Sequence, residues 1–275
     1  MMCKIVFAIF LCLFFIAESS GYDDRLDFGA VSSSLGGADI AVPSGSSSLL
    51  LNSGFLKYHH KFYVNFHFSN PFGIPGLNSQ SATFRYSSIK FLAGVEYSNF
   101  GKKDLYAENN YRIAFGYSLP QDLYIGALLD YLSIDIGDEI RYAGSSSIGF
   151  SGGFYNGIIG AAGSVSGLSI NSRNMNDSDL NPLYLIGISY GFSKMTTMYS
   201  SFGYRNSVEW LSIGQKFIIN EILTINAGLK SNPVTPSFGF VIYKKYVGLC
   251  YSYKYHSILG DSHQAAIVFR IHNRK

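Results

Sequence analysis

The side chains able to do chemistry are few and scattered. The chain has 6 histidines, His59, His60, His67, His256, His263 and His272. None sits in a zinc-type spacing such as His-Glu-x-x-His. Asp261, Ser262 and His263 put an acid, a hydroxyl and an imidazole side by side, the set a nucleophilic hydrolase needs. Neighbours on a strand point to opposite faces, so these three do not converge. The run NSRNMNDSDLNP (171–182) is rich in Asn and Asp. It lacks the glycine and the closing Glu of a Ca²⁺ loop and reads as a solvated surface loop. No catalytic residue, no metal ligand and no cofactor is expected. What remains is charge. By alternation, Lys61, Lys90, Arg112, Lys216, Lys230, Lys254 and Arg270 would share one face of the strands with Glu96 and Asp130. Such a net basic lining would attract anions by focusing the field. The competing reading pairs these cations with Glu96, Asp130 and the acids Asp23, Asp24, Asp27 and Asp39 of an N-terminal segment packed against them.

The elements that would position these residues are strands. In YRIAFGYSLPQDLYIGALLDY (111–131), apolar residues fall on every second position on both sides of a Pro-Gln-Asp turn. A period of two marks strands with one apolar face. The same alternation runs from Lys61 to Ile271, in about 14 segments of membrane-strand length. Two places break it. After Tyr131 the parity flips to Leu132, Ile134 and Ile136, which suggests a bulge. The Gly/Ala/Ser-rich stretch 149–167 shows no facing.

Whether the apolar face meets a protein core or lipid is decided by the other face and by the loops. Charged residues are only 14% of the 275, and aromatics are 16%, with 21 Tyr and 22 Phe. Soluble domains carry about 25% charged residues. The second face is mostly Gly, Ser, Asn and Ala, too sparse in charge for the solvated side of a sandwich. Tyr97, Tyr117, Tyr131, Tyr190, Phe192, Tyr204, Trp210, Phe217 and Tyr255 suit the aromatic girdles of a lipid-facing wall. The connections 69–81, 99–107, 137–145, 171–182, 206–207, 231–235 and 256–262 fall at one end and include nearly all the long ones. Short turns at one end and long loops at the other are the layout of an outer-membrane barrel. Lipid admits only helices or closed barrels, since unpaired backbone groups are costly there. The expected fold is therefore all-β, a transmembrane antiparallel up-and-down barrel of about 14 strands.

Residues 1–19 have the form of a cleaved export signal. Lys4 precedes the apolar run Ile5–Ala17, and Ala17-Glu18-Ser19 offers a cleavage site. Residues 20–58 are rich in Gly, Ser, Ala and Asp and form a separate segment, a plug or a periplasmic tail, before the barrel at 59–275. Beyond the signal only Cys250 remains, so no internal disulfide is available. The net charge of +3, with no basic run, gives no footprint for nucleic acid. The expected location is the bacterial outer membrane, and the expected partner is its lipid.

Two short motifs resemble a known family. LGGADIAV (35–42), with Leu35, Gly36, Gly37 and Ala38, is followed by NSGFL (52–56), with Asn52 and Leu56. The closing hairpin YHSILGDSH (255–263) carries Leu259, Gly260 and His263. Together with the strand plan between them, these resemble the PorV/PorQ-type outer-membrane barrels, relatives of the FadL-like transporters. Ser53 stands where that family usually has Pro. The resemblance implies a non-enzymatic barrel. It implies an accessory role in type IX protein secretion and cell-surface attachment, with secretion proteins or cargo as partners. The alternative it implies is a FadL-like channel for hydrophobic or small anionic molecules.

Overall fold

The computed structural model describes residues 29–42, 52, 60–102, 105–137, 139–154, 157–166, 183–205 and 207–272. A short helix, α1 (Ala30–Ser34), comes first. The strands follow as β1 (His60–Asn70), β2 (Asn78–Ser87), β3 (Phe91–Lys102), β4 (Tyr106–Leu119), β5 (Leu123–Ile136), β6 (Glu139–Phe154) and β7 (Gly157–Ser166). The second half comprises β8 (Leu183–Gly191), β9 (Thr196–Arg205), β10 (Val208–Ile218), β11 (Leu223–Lys230), β12 (Thr235–Lys244), β13 (Val247–His256) and β14 (Gly260–His272). Each strand pairs antiparallel with its sequence neighbour, and β1 closes the sheet on β14. The closed 14-strand barrel has no free edge, so every wall strand finds hydrogen-bond partners on both sides.

The alternation places the apolar side chains outside. Phe66, Phe84, Val95, Ile113, Phe115, Leu129, Phe150, Ile186, Leu249 and Ile267 are all exposed on the outer wall. Their sequence neighbours Asn65, Arg85, Glu96 and Arg112 are buried inside, as are Asn226 and Ser252. This is the inverse of a soluble sandwich, and it is the arrangement a bilayer covers. Rings gather near the long-loop end: Tyr97, Tyr111 and Tyr131 stand side by side on β3, β4 and β5, with centroids 5.1 and 6.2 Å apart.

Several expectations are corrected. No bulge follows Tyr131: β5 pairs without interruption with both β4 and β6. Leu132 and Ile134 simply face inward and are buried, so the apolar residues change sides while the backbone keeps its register. Trp210 is also inward and buried, not part of an outer girdle, because it shares the parity of Ser212 and Gly214. Two expected long connections are mostly ladder. β3 continues to Lys102 against β4 from Tyr106, and β5 to Ile136 against β6 from Glu139. A ladder is made by the backbone and needs no apolar face once it has left the lipid. Stretch 149–167 acquires a facing where it is described: Phe150 and Ile159 point out, and Ser151 and Gly160 point in. The rim carrying the short turns 88–90, 120–122, 192–195, 219–222 and 245–246 is called the lower rim below. The signal sequence, the loop 171–182, Leu56, Asp23, Asp24 and Asp27 lie outside the described residues.

Candidate functional site: the barrel lumen

The N-terminal segment 29–42 lies inside the barrel and runs along its wall. Ala30 packs among Tyr63, Val241, Cys250, Ala266 and Val268 on β1, β12, β13 and β14. Leu35, Ala38 and Val42 pack on Tyr199 of β9, and Ile40 and Ala41 on Leu185 and Trp210. Polar contacts hold the same path. Asn226 Nδ2 donates to Ser34 Oγ at 3.0 Å, and Ser201 Oγ donates to the Gly37 carbonyl at 3.3 Å. Asn52 Nδ2 donates to the carbonyls of Ile40 (3.3 Å) and of Phe150 on β6 (2.9 Å). The segment thus follows the inner circumference from β14 round to β6.

It can lie so close because the wall beneath it is bare. A β-carbon at Gly214 would sit 2.7 Å from the Leu35 carbonyl oxygen, and one at Gly187 would sit 2.0 Å from Ile40 Cγ2. Gly160 and Gly239 meet Ile40, Asn52 and Ser34 in the same way. In the segment, Gly36 and Gly37 adopt φ of 67° and 74°, the left-handed region that glycine enters without strain. This explains why 149–167 shows no alternation: where the segment touches, the inner residues are as small as they can be.

The rest of the wall, β2 to β5, carries large inward side chains in layers. One cross-strand row is charged: Thr83, Glu96, Arg112 and Asp130 are successive register partners. Thr83 Oγ1 donates to Glu96 Oε2 at 2.7 Å, and Arg112 Nη1 donates to Glu96 Oε1 at 3.0 Å. Arg112 Nε lies 3.5 Å from Asp130 Oδ1. One guanidinium therefore serves two carboxylates across three strands. Towards the lower rim lies an apolar layer of Leu92, Ala114 and Leu128, joined by Tyr124 and Ile158. On the upper side, Leu132 and Ile134 face the interior.

The expected lining residues divide by depth. Glu96, Arg112, Lys230 and Lys254 are buried within the lumen, and Asp130, Lys216 and Arg270 are partly exposed on the same face. Lys230 Nζ sits 5.2 Å from the centroid of the Trp210 ring. Lys61 and Lys90 are exposed instead. Lys90 belongs to the lower turn 88–90, and Lys61 is at the first turn of the ladder, so neither lines the interior. Asp39 is fully buried with the segment. Leu259 is exposed in the last upper turn, and Gly260 has φ of 94° there. Ser262 faces in while Asp261 and His263 face out, bonded to Tyr253 and Tyr251 respectively, so this trio forms no catalytic set.

Sequence reading missed Arg85, the largest fully buried side chain among the described residues. Its parity in ATFRYSS (82–88) places it inward beside Thr83, and that was the available signal. His67 faces in, with Nε2 3.1 Å from Gln264 Oε1. No group of residues fit to hold a metal ion occurs among the described residues.

No protein-family model matches the chain, and no curated protein matches it. Solved structures do. The Ralstonia pickettii toluene transporter TbuX superposes with a TM-score of 0.68 at 11% identity, covering 92% of this chain and 100% of that one. The Pseudomonas putida toluene transporter TodX matches at 0.66 and 11%, over 88% and 96%. A Pseudomonas aeruginosa FadL homologue matches at 0.64 and 8%, over 89% and 98%. At such identities the likeness is one of fold: this chain has the 14-strand barrel fold seen in these outer-membrane transport proteins.

Proposed function

We propose that the chain is an outer-membrane channel that admits small hydrophobic molecules. The observation that carries this is the lining of β3–β5, where Leu92, Ala114 and Leu128 form one inward apolar layer and Leu132 and Ile134 extend another. A water-filled channel has a polar interior. A lumen that keeps Leu and Ile facing inward on β3–β5 and a fitted segment along the rest of the wall suits a solute that leaves water. The solved barrels of like fold are described as toluene transporters and a FadL homologue, which supports the same direction. Those comparisons lend nothing to the PorV/PorQ resemblance in particular or to its type IX secretion role. Location in the outer membrane follows from the same reading.

The test is uptake of radiolabelled toluene by cells with and without the gene, and by cells carrying Leu128→Asp. Faster uptake with the intact gene, lost in the variant while the protein remains folded in the membrane, is the expected result. Equal uptake in all three would sink the channel reading.

A further inference from the structure

Aromatic rings and cations meet on the outer wall at the lower ends of β1, β2 and β3. Phe62 on β1 is the register partner of Tyr86 on β2, and their ring centroids lie 5.3 Å apart. The Tyr86 ring lies 5.5 Å from Phe91 at the start of β3, and Phe62 lies 6.3 Å from Phe84. Four rings on three neighbouring strands thus make one panel. It faces away from the lumen, because the adjacent residues Tyr63, Arg85 and Leu92 are buried inside.

Two lysines border this panel. Alternation alone would turn Lys61 inward with Tyr63. The β1–β14 ladder shifts register between His60 and Phe62, and the shift releases Lys61 from the inner face. Its Nζ sits 5.5 Å from the centroid of the outward Phe62 ring. Lys90 is exposed in the turn that joins β2 to β3. That turn is held in shape: Ser88 Oγ accepts from the backbone N–H groups of Lys90 (3.3 Å) and Phe91 (3.1 Å), and the Ser88 N–H donates to the Phe91 carbonyl at 2.8 Å. Neither ammonium has a carboxylate partner among the described residues. The lower rim from β12 round to β3 carries Lys244, Lys245, Lys61 and Lys90, and no acid among the described residues. The first acid beyond β3 is Asp122, in the turn between β4 and β5.

Rings at the end of a lipid-facing wall mark the level of the headgroups. Lysines beside them keep their stems on apolar surface and their charge in that layer. β1 and β3 are two strand spacings apart, about 10 Å, a gap that two extended lysine side chains close on one phosphate. We propose that Lys61 and Lys90, with Phe62, Phe84, Tyr86 and Phe91, form a binding site on the outer wall for an anionic glycerophospholipid. The phosphate is held between the two ammonium groups and the acyl chains lie on the rings. A zwitterionic lipid brings its own cation to the phosphate and gains less from the lysines. The site lies on the lipid side of the wall, so it does not depend on what passes through the lumen.

The experiment is native mass spectrometry of the full chain in detergent. The probes are dioleoyl phosphatidylglycerol, dioleoyl phosphatidylethanolamine and inorganic phosphate. The proteins compared are the parent, Lys61→Gln, Lys90→Gln, Lys61→Arg and Lys194→Gln, the last in the lower turn 192–195 away from the panel. The parent should prefer phosphatidylglycerol. Lys61→Gln and Lys90→Gln should each weaken it about fivefold, the usual contribution of one basic side chain to anionic lipid, and leave phosphatidylethanolamine unchanged. Lys61→Arg should bind as the parent does, and Lys194→Gln should change neither lipid. Heat-modifiable mobility confirms that each variant is folded; should Lys61→Gln fail that check, Lys90→Gln carries the comparison. Equal binding of the two lipids by the parent, or a preference that survives both Gln variants, overturns the proposal. An equal loss in Lys194→Gln would show diffuse attraction by the rim and overturns the local site. Displacement of phosphatidylglycerol by millimolar inorganic phosphate would show an anion site indifferent to acyl chains and overturns the lipid assignment.

Discussion

Gly228 on β11 and Gly36 in the N-terminal segment meet backbone to backbone: a β-carbon at Gly228 would fall 2.2 Å from the Gly36 nitrogen. With Gly160, Gly187, Gly214 and Gly239, it makes a bare track on the inner wall of β7, β8, β10, β11 and β12. The track is what gives an otherwise ordinary barrel an internal occupant. Gly228→Ala should therefore force the segment away from the wall. Overpacking of this kind costs about 1–3 kcal/mol. Urea unfolding from lipid vesicles should show a loss of that size. Iodide or maleimide accessibility of a cysteine placed at Ser34 should rise in the same variant. An unchanged midpoint and unchanged accessibility would mean that the contact is not close.

Phe115 projects outward from β4 and is 57% exposed. Phe115→Lys should destabilise the membrane-inserted state by about 2–4 kcal/mol. The check is equilibrium unfolding from phospholipid vesicles. A spin label at the same position should be relaxed by oxygen dissolved in the bilayer and shielded from a water-soluble nickel complex. The reverse pattern would place this face away from lipid.

Arg112 sits between Glu96 and Asp130, with side-chain exposures of 8%, 2% and 19%. Removing the central cation leaves two carboxylates facing each other in a buried row. Arg112→Met should cost about 3–5 kcal/mol. Adding Glu96→Gln to that variant should recover a large part, because the remaining buried charge is then reduced. A double variant no more stable than the single one would show that the row is not coupled.

The chain has a single tryptophan, Trp210. Its ring lies so close to Gly203 that a β-carbon there would be 2.2 Å from Trp210 Cε2, and it packs on Ile40 and Leu185. Its fluorescence should be blue-shifted and insensitive to brominated lipid chains. Ile40→Asn should move the emission to the red by wetting the contact. Strong quenching by brominated lipid would put the ring outside the barrel.

Legibility varied along the chain for physical reasons. The hairpin at 111–131 was readable because each of its strands has lipid on one side and lumen on the other, and that contrast imposes a period of two. Leu132 and Ile134 misled because an apolar inner face is indistinguishable, in sequence, from a shift in register. Trp210 misled likewise: an aromatic ring suits both a girdle and a contact with an internal segment. Stretch 149–167 was silent because Gly160 must be small for Ile40 and Asn52. The reason for that lies more than a hundred residues away in the chain.

By itself, the sequence determined an all-β chain of short alternating strands, poor in charge and rich in aromatics, with an N-terminal segment of different composition. These are local properties, carried by the side-chain period and by composition. The closed barrel expected from them is the one observed, with β1 on β14; the tertiary structure alone decided the path of residues 29–42 along a glycine track and the partners of each inward charge. Glu96, Arg112 and Asp130 become one row, and Tyr63, Arg85 and Arg270 another, only through strand register. Register is a relation between distant segments, fixed by the ladder and the closure of the barrel rather than by any one strand.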